Sequence, residues 1–534
     1  MVICDQLRRG VQNHPDKLAV KDMYGKVFPV GFSYTYRQVY DAVNRLANSL
    51  LAMGMKKGDR LAIQTGTGIG HVLTLLAAAK VGLALTPIDR TFMENEITYL
   101  IRDSGPRALV VDTDIFQTKI DPIRSRLDTI EYFIGLGKER VCPYHLETLI
   151  EEGVPGEPGV EVNEDDVVTL IYTSGTTGMP KGVPLTHRNW TFSAYMWAAE
   201  LGIHPLTRWL LVMPLHTSGG TGLTLASTIR GCSLILTNPD PRKILRLIGE
   251  ERITFTQFSP TLLANVVRHE DAKDTDFSSI ERWFTSAAPI SRELLTEGAR
   301  CFGEKFTQLF GTTETALLGT VLRPEDVSIQ GDLSKRLPSI GKACLGYETK
   351  VIDVDGNEVG PCGVGELLIR GDGVANGYWN RPEREDFKSG WWHSGDMVRV
   401  DEDGFYYVVD RMKDMILTGG SNVYPREVEE TISTHPAVHL VSVIGVPDDK
   451  WGESVKAVIV LKEGAQASEE EIIEYCKTRL ASYKKPRSVD FISLADMPMM
   501  GGGYKIRKRE LREKYRKEYE KAKKTKIESW GAAG

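Results

Sequence analysis

From Leu61 to Phe310, short apolar runs alternate with helical stretches, and this alternation limits the possible folds more than any other feature of the chain. Leu61 to Thr65, Leu83 to Thr86 and Ala108 to Asp112 read as buried strands. Helices are expected over 34 to 58, where Val39, Val43, Leu46, Leu50 and Leu51 form an apolar stripe, over Val72 to Ala79, and around Ile97 to Ile101. Further along, Trp209 to Met213, Ser233 to Leu236, Phe255 to Phe258, Trp283 to Ser286 and Phe306 to Phe310 read as strands, and Arg242 to Glu250 as a helix. Strands joined by helices predict an α/β fold with parallel sheets, because each crossover has to pass over a face of the sheet.

At 534 residues the chain is too long for one ordinary core, so more than one domain is expected. Near residue 340 the pattern changes to short β runs, Thr349 to Val354, Gly365 to Arg370 and Gly404 to Val409, with turn signals at Asp355-Gly356 and Asp403-Gly404. A small antiparallel sheet or barrel is expected there. A second boundary falls at Asp410-Arg-Met-Lys-Asp414. Beyond it come a helix (Pro425 to Thr434), two strands (Leu440 to Val446, Ser454 to Leu461), another helix (Glu469 to Leu480) and a charged, solvated helical tail. The expected organisation is a large domain over 1–411, with 341–411 as its β-rich part, and a small α+β domain over 412–534.

Hydrophobic content of 41% and charged content of 26% fit a soluble globular protein, and the net charge of −6 gives no reason to expect nucleic acid. No apolar run reaches the roughly 18 residues of a transmembrane helix, and MVICDQLRRG has no secretory core. The seven cysteines are scattered, odd in number and without a C-x-x-C pair, which points to a reducing, cytoplasmic setting.

The stretch with the most chemistry is LIYTSGTTGMPKGVPLTH, residues 170 to 187. An apolar strand end runs into Thr173, Ser174, Gly175, Thr176, Thr177 and Gly178, with Lys181 close behind. Small residues let backbone N–H groups approach an anion, hydroxyls add donors, and lysine adds a compact positive charge. The spacing differs from G-x-x-x-x-G-K-[ST]. Gly66-Thr-Gly-Ile-Gly70 lacks the full dinucleotide pattern and reads as a strand-to-helix turn.

YTSGTTGMPKG resembles the phosphate-loop signature of the adenylate-forming superfamily, which includes acyl-CoA synthetases, peptide-synthetase adenylation domains and beetle luciferases. Other motifs of that family follow in order along essentially the whole chain. Ser286-Ala287-Ala288-Pro289 resembles the segment against adenine, and Phe310-Gly311-Thr312-Thr313-Glu314 the aromatic-Gly-x-Thr-Glu motif, with Phe310 in place of the usual Tyr. The resemblance implies that Thr313 binds the α-phosphate and Glu314 holds Mg²⁺, an oxygen-seeking cation. Trp391 to Asp396 resembles the segment whose aspartate receives both ribose hydroxyls, and Asp410 to Asp414 the hinge, with Arg411 on ribose or phosphate and Lys413 as pivot. Gly419, Gly420 and Asn422 would line the tunnel for the thiol arm of CoA.

The closing motif departs from the family pattern. Six residues, Met499 to Tyr504, stand between Pro498 and Lys505 where the family has five, and Tyr504 replaces the usual glycine. Lys505 is the expected catalytic lysine and Lys508 the fallback. By resemblance the acyl pocket lies around His216, Thr217, Gly219, Phe258, Ala287, Gly311 and Leu317, small and apolar enough for an uncharged acyl group. The implied activity is AMP-forming acyl-CoA ligation: ATP activates a fatty or aromatic carboxylic acid, and the acyl group passes to CoA. The expected partners are small molecules, ATP, CoA and the acid, with the protein a monomer or homodimer. Alternatives are an acyl-AMP ligase loading a carrier protein and a luciferase-like oxidase; an ATP-binding sensor without catalysis is the alternative from another class.

Overall fold

A computed structural model describes residues 1–25, 29–173, 179–285, 290–381, 383, 386–419, 421–499 and 506–531, with backbone alone at 422, 522 and 524–531. The chain divides into two compact units, one of residues 1–350 and 368–393, the other of residues 351–367 and 394–534.

In the first unit the strand–helix alternation forms two sheets. One has the strand order Tyr144–His145, Tyr132–Leu136, Ala108–Asp112, Arg60–Gln64, Ala84–Pro87, Val167–Thr173, Lys181–Thr186, parallel except for the last pair. The other runs Lys342–Ala343, Thr320–Leu322, Phe306–Phe310, Arg282–Thr285, Phe255–Phe258, Arg208–Leu211, Ser233–Leu236, Leu18–Asp22, Phe32–Thr35, parallel in the middle with antiparallel pairs at both edges. The central strands are buried on both faces, which accounts for their continuous apolar runs. Trp209, Trp283, Phe255, Phe258, Phe284 and Phe302 fill the core of the second sheet.

The predicted helices are present as Tyr36–Ala52, Ile69–Lys80, Glu94–Ser104 and Pro241–Glu250. The first starts where Thr35 caps it and Gln38 returns a bond to the cap, a reciprocal pairing that satisfies two orphan N–H groups. Gly66–Gly70 is the expected turn. Its N–H groups are taken by protein carboxylates: Gly66 N donates to Asp112 Oδ2 at 2.9 Å and Ile69 N to Asp22 Oδ2 at 3.3 Å. Two of the N–H groups at this helix start are therefore already paired with protein carboxylates.

The second unit has its own core of Ile416, Val428, Ile432, Val443, Val455, Ile459, Ile472 and Cys476. Gly452–Leu461 pairs along its length with Val438–Asp448 and with Ser488–Phe491 on the other side, and Pro425–Ser433 and Glu469–Lys477 are its helices. A long helix, Lys508–Gly531, follows. Residues 394–411 belong to this unit for a visible reason. Arg426, in the helix after the hinge segment, donates to Val408 O at 2.8 Å through Nη1 and to Asp410 Oδ2 at 2.8 Å through its backbone N–H. The β-rich texture expected over 341–411 appears as Glu348–Ile352, Val364–Arg370, Phe387–Lys388, Trp391–Val400 and Tyr406–Arg411. Among the described residues, no helix is long and apolar enough to cross a membrane.

Candidate active site

The phosphate-type loop joins two antiparallel strands, with Thr173 directly opposite Lys181. Ser174, Gly175, Thr176, Thr177 and Gly178 lie outside the described residues, so the structure reports on the ends of the loop only. At the far end, Lys181 Nζ lies 2.8 Å from Asp386 Oδ2 and 4.5 Å from the ring centroid of Tyr378. The strand then leads into the helix His187–Leu201, capped by Thr186.

Directly after the Phe306–Phe310 strand, the chain turns sharply through Gly311 to Leu318. Ala316 and Leu317 have φ of +46° and +76°, a conformation costly for residues with a Cβ and held here by Leu317 N donating to Thr312 O at 2.8 Å and by Ser193 Oγ donating to Ala316 O at 2.6 Å. Gly311 allows the tight return, because a Cβ there would lie 2.2 Å from the Leu317 carbonyl carbon. The turn presents Thr313 and Glu314. The Thr313 hydroxyl lies 3.0 Å from Ser218 Oγ, at the start of the helix Ser218–Arg230, and Glu314 Oε1 accepts from the Tyr378 hydroxyl at 3.1 Å. Thr312 Oγ1 is buried without a hydrogen-bond partner, a donor and acceptor that a bound ligand can use.

The acyl-pocket candidates come together in part. Thr217 caps the helix that begins at Ser218, and Gly222 on that helix meets Leu317, so His216, Thr217, Gly219, Gly311 and Leu317 share one neighbourhood. His216 Nε2 lies 3.4 Å from Asp89 Oδ2. Burial would raise the Asp89 carboxyl, but its hydrogen bond and ion pair with His216, with Thr91 adding two bonds, hold it well below the usual carboxylate range. Behind His216, burial and repulsion from His216 push His71 down to about 3, so it stays neutral beside Thr65 Oγ1 at 3.0 Å. Phe258 is fully buried and stacked on Phe302, a core position. Ala287 lies outside the described residues, as do Ser286, Ala288 and Pro289.

The alignment of elements and turns has counterparts among known proteins. The family model described as "AMP-binding enzyme" matches residues 7–379, and that described as "AMP-binding enzyme C-terminal domain" matches residues 427–503. The chain belongs to the AMP-binding enzyme family. It is an adenylate-forming acid–thiol ligase of the acyl-CoA synthetase group, similar to a protein named long-chain-fatty-acid–CoA ligase FadD13 of Mycobacterium tuberculosis, at 34% identity over 90% of this chain and 93% of that one. It is also similar to feruloyl-CoA synthase of Amycolatopsis sp., at 33% identity over 91% and 94%. The solved structure of ATP-bound MatB from Rhodopseudomonas palustris superposes with a TM-score of 0.85 at 27% identity, covering 97% of this chain and all, 100%, of that one.

In the second unit of this AMP-binding enzyme, Asp396 sits opposite Arg411 on paired strands, and Arg411 Nε lies 2.8 Å from Asp396 Oδ1. Asp396 is buried, and the guanidinium beside it satisfies its charge. Lys413 lies in a short turn, Met412–Asp414. Burial lowers its pKa, with Asp414 pulling the other way. Arg512 of the terminal helix holds this turn, 2.8 Å from Asp414 Oδ1 and 3.5 Å from Lys413 O. Gly419, at φ +57°, packs so closely on Trp451 that a Cβ would meet its ring at 2.6 Å. Gly420 and the side chain of Asn422 lie outside the described residues.

Lys505 also lies outside them, between Met499 and Ile506, which face each other in an antiparallel bridge. The fallback, Lys508, is engaged elsewhere: its ammonium lies 2.7 Å from Glu429, a half-buried carboxylate that also accepts from Val443 N at 2.7 Å. A lysine compensating a half-buried charge is not free to move with a substrate. Phe310 is half-buried at its strand end. Sequence reasoning missed Tyr378 and Asp386, which the fold alone brings to Lys181 and Glu314, and Asp89, whose partner stands 127 residues further along the chain.

Proposed function

We propose that this enzyme activates an uncharged fatty or aromatic carboxylic acid with ATP to an acyl-adenylate and then transfers the acyl group to CoA. The arrangement that carries the reading is a buried carboxylate, Glu314, next to Thr313 and the unpartnered Thr312 hydroxyl, bonded to the Tyr378 hydroxyl, with the Lys181 ammonium over the ring of that same tyrosine. Positive charge and hydroxyls converging on one place suit a triphosphate. The similarity to an ATP-bound structure supports the same nucleotide.

The donor set at Glu314 fits Mg²⁺. Among the described residues there is no cluster of three or more His, Cys, Asp or Glu, so one carboxylate with phosphate oxygens and water would complete the shell, as this small cation prefers. When bound there, Mg²⁺ supplies charge neutralisation to the phosphates. Lys181 draws negative charge from the phosphate tail, and Thr313 donates to the α-phosphate. The acid's carboxylate oxygen attacks the α-phosphorus, the bond to the bridging oxygen breaks, and pyrophosphate leaves with its electrons. Asp396 and Arg411 hold the ribose, and Lys505 bridges the acid and the α-phosphate. The thiolate of CoA then attacks the acyl carbon and AMP leaves, with Lys413 as the pivot between the two half-reactions.

The names of the relatives point both ways on the acid, one to a long aliphatic chain and one to a hydroxylated aromatic. His216, paired with Asp89, is the proposed wall of the acyl pocket. A panel of aliphatic and aromatic acids scored by pyrophosphate release tests the reading. His216→Ala should reorder that panel and leave the KM for ATP nearly unchanged. An unchanged order removes His216 from the pocket, and no acid-dependent release removes the activity.

A further inference from the structure

Residues 375–387 belong to none of the motifs that sequence reasoning picked out, yet they hold two groups of the site together. Ala375 N donates to Glu314 O at 2.8 Å, and the Tyr378 hydroxyl donates to Glu314 Oε1 at 3.1 Å, so both the backbone and the side chain of Glu314 are fixed by one segment. The same tyrosine offers its ring to Lys181, whose ammonium lies 4.5 Å from the centroid. The next residue, Trp379, donates from its backbone to Gly182 O at 2.8 Å and from Nε1 to Asp103 O at 3.1 Å. Gly182, directly after Lys181, approaches so closely that a Cβ there would lie 3.2 Å from Trp379 Cβ. Phe387 meets the Tyr378 ring edge-on at 5.3 Å. The ring is therefore fixed by its backbone, its hydroxyl and a neighbouring ring.

From this geometry we propose that Tyr378 is a positioning residue that sets the distance between the metal-binding carboxylate and the phosphate-binding lysine, its hydroxyl holding Glu314 and its π face holding Lys181. The inference rests on the roles proposed above for those two residues. A phenol on Oε1 restricts carboxylate rotation and leaves the other oxygen for a cation. The ring's negative face attracts the ammonium, which also pairs with Asp386 Oδ2 at 2.8 Å, so a bound phosphate would share the lysine with that carboxylate while the ring keeps it in place.

Tyr378→Phe removes the hydroxyl and keeps the ring. ATP binding by equilibrium titration, with Mg²⁺ and in excess chelator, reads the two functions apart. The Phe variant should weaken Mg–ATP binding about 10-fold or more, the usual range for a lost partner of a metal ligand, while metal-free ATP binding stays within about twofold. Tyr378→Leu should weaken both, since Lys181 then loses its support as well. Equal binding by Tyr378→Phe and wild type in Mg²⁺, or equal loss with and without metal, overturns the proposal. Glu314→Gln separates the premise: if it leaves Mg–ATP binding intact, the metal assignment fails first and the Tyr378 role with it. If Tyr378→Phe unfolds, Tyr378→His, which keeps an aromatic donor, must bind Mg–ATP better than Tyr378→Leu, and failure to do so counts against the proposal.

Discussion

Gly311→Ala tests whether the turn that carries Thr313 and Glu314 is a precision element. An added Cβ would lie 2.2 Å from the Leu317 carbonyl carbon and oxygen and 2.5 Å from Leu318 N. These are backbone atoms of a turn held by its own hydrogen bonds and by two residues at positive φ, so no side chain can rotate out of the way. Relief requires the 312–318 segment to shift by about 1 Å, at a cost of roughly 1–3 kcal/mol for overpacking. The same shift displaces the Thr313 hydroxyl and the Glu314 carboxylate. A misplacement of that size costs about 10²-fold in rate. We expect kcat/KM for ATP to fall about 10²-fold in a pyrophosphate-release assay, while the thermal midpoint falls modestly and the fold persists. Gly319→Ala is the comparison: its Cβ would meet Ile369 Cδ1 at 2.5 Å, the far end of a side chain, and the Phe310 carbonyl oxygen only at 3.3 Å. That variant should keep activity within about threefold, because a rotamer change relieves the contact. Similar activities for the two variants, with Gly311→Ala near wild type, would refute the idea that the turn positions the site.

The other predictions concern lysines and buried histidines. Lys508→Ala leaves the half-buried Glu429 without its cation and should destabilise the fold by about 1–2 kcal/mol with adenylation retained, whereas Lys505→Ala should slow adenylation about 10²-fold at unchanged stability. Separate half-reaction and denaturation measurements check the pair, and a stable Lys508→Ala enzyme that cannot adenylate would reverse the assignment. Burial pushes His187 down from 6.5 to about 4, with Asp166 opposing, while its Nδ1 accepts from Ile3 N at 3.2 Å. A histidine held neutral in the fold contributes stability that is full above the unfolded value near 6.5 and is lost as pH falls towards 4. Over that window the loss is on the order of 3 kcal/mol. His187→Asn, which keeps an acceptor for Ile3, should flatten the pH dependence of urea unfolding between those values, and an unchanged slope would show that His187 protonates freely in the fold.

Most of the α/β skeleton was readable because its strands are short, apolar and separated by striped helices. Phe255–Phe258, Ser233–Leu236 and Ala108–Asp112 fall where their runs predict. The strand Lys181–Thr186 was not readable, since Pro184 sits in its middle and Lys181 was read as part of a loop. Pro184 is tolerated because this strand is the sheet edge, with no further strand beside it among the described residues. Trp391–Val400 likewise hid its strand behind Gly395 and Asp396, though its alternate residues are buried. Lys181, Thr313 and Glu314 in the first unit, and Asp396 in the second, were singled out by the motifs they stand in. Tyr378, Asp386 and Asp89 have no local signal. Each gains its place only when a distant segment folds against it, which a period or a spacing does not encode.

Adenylation of a carboxylic acid by ATP at the proposed Lys181–Thr313–Glu314 site can be followed separately from thioester formation. Exchange of radiolabelled pyrophosphate into ATP measures that step alone. Exchange should require both the acid and Mg²⁺, proceed without CoA, and fall about 10²-fold or more in Glu314→Gln. Exchange that is absent for every acid unless CoA is added, or that persists undiminished in Glu314→Gln, would contradict adenylation at this site.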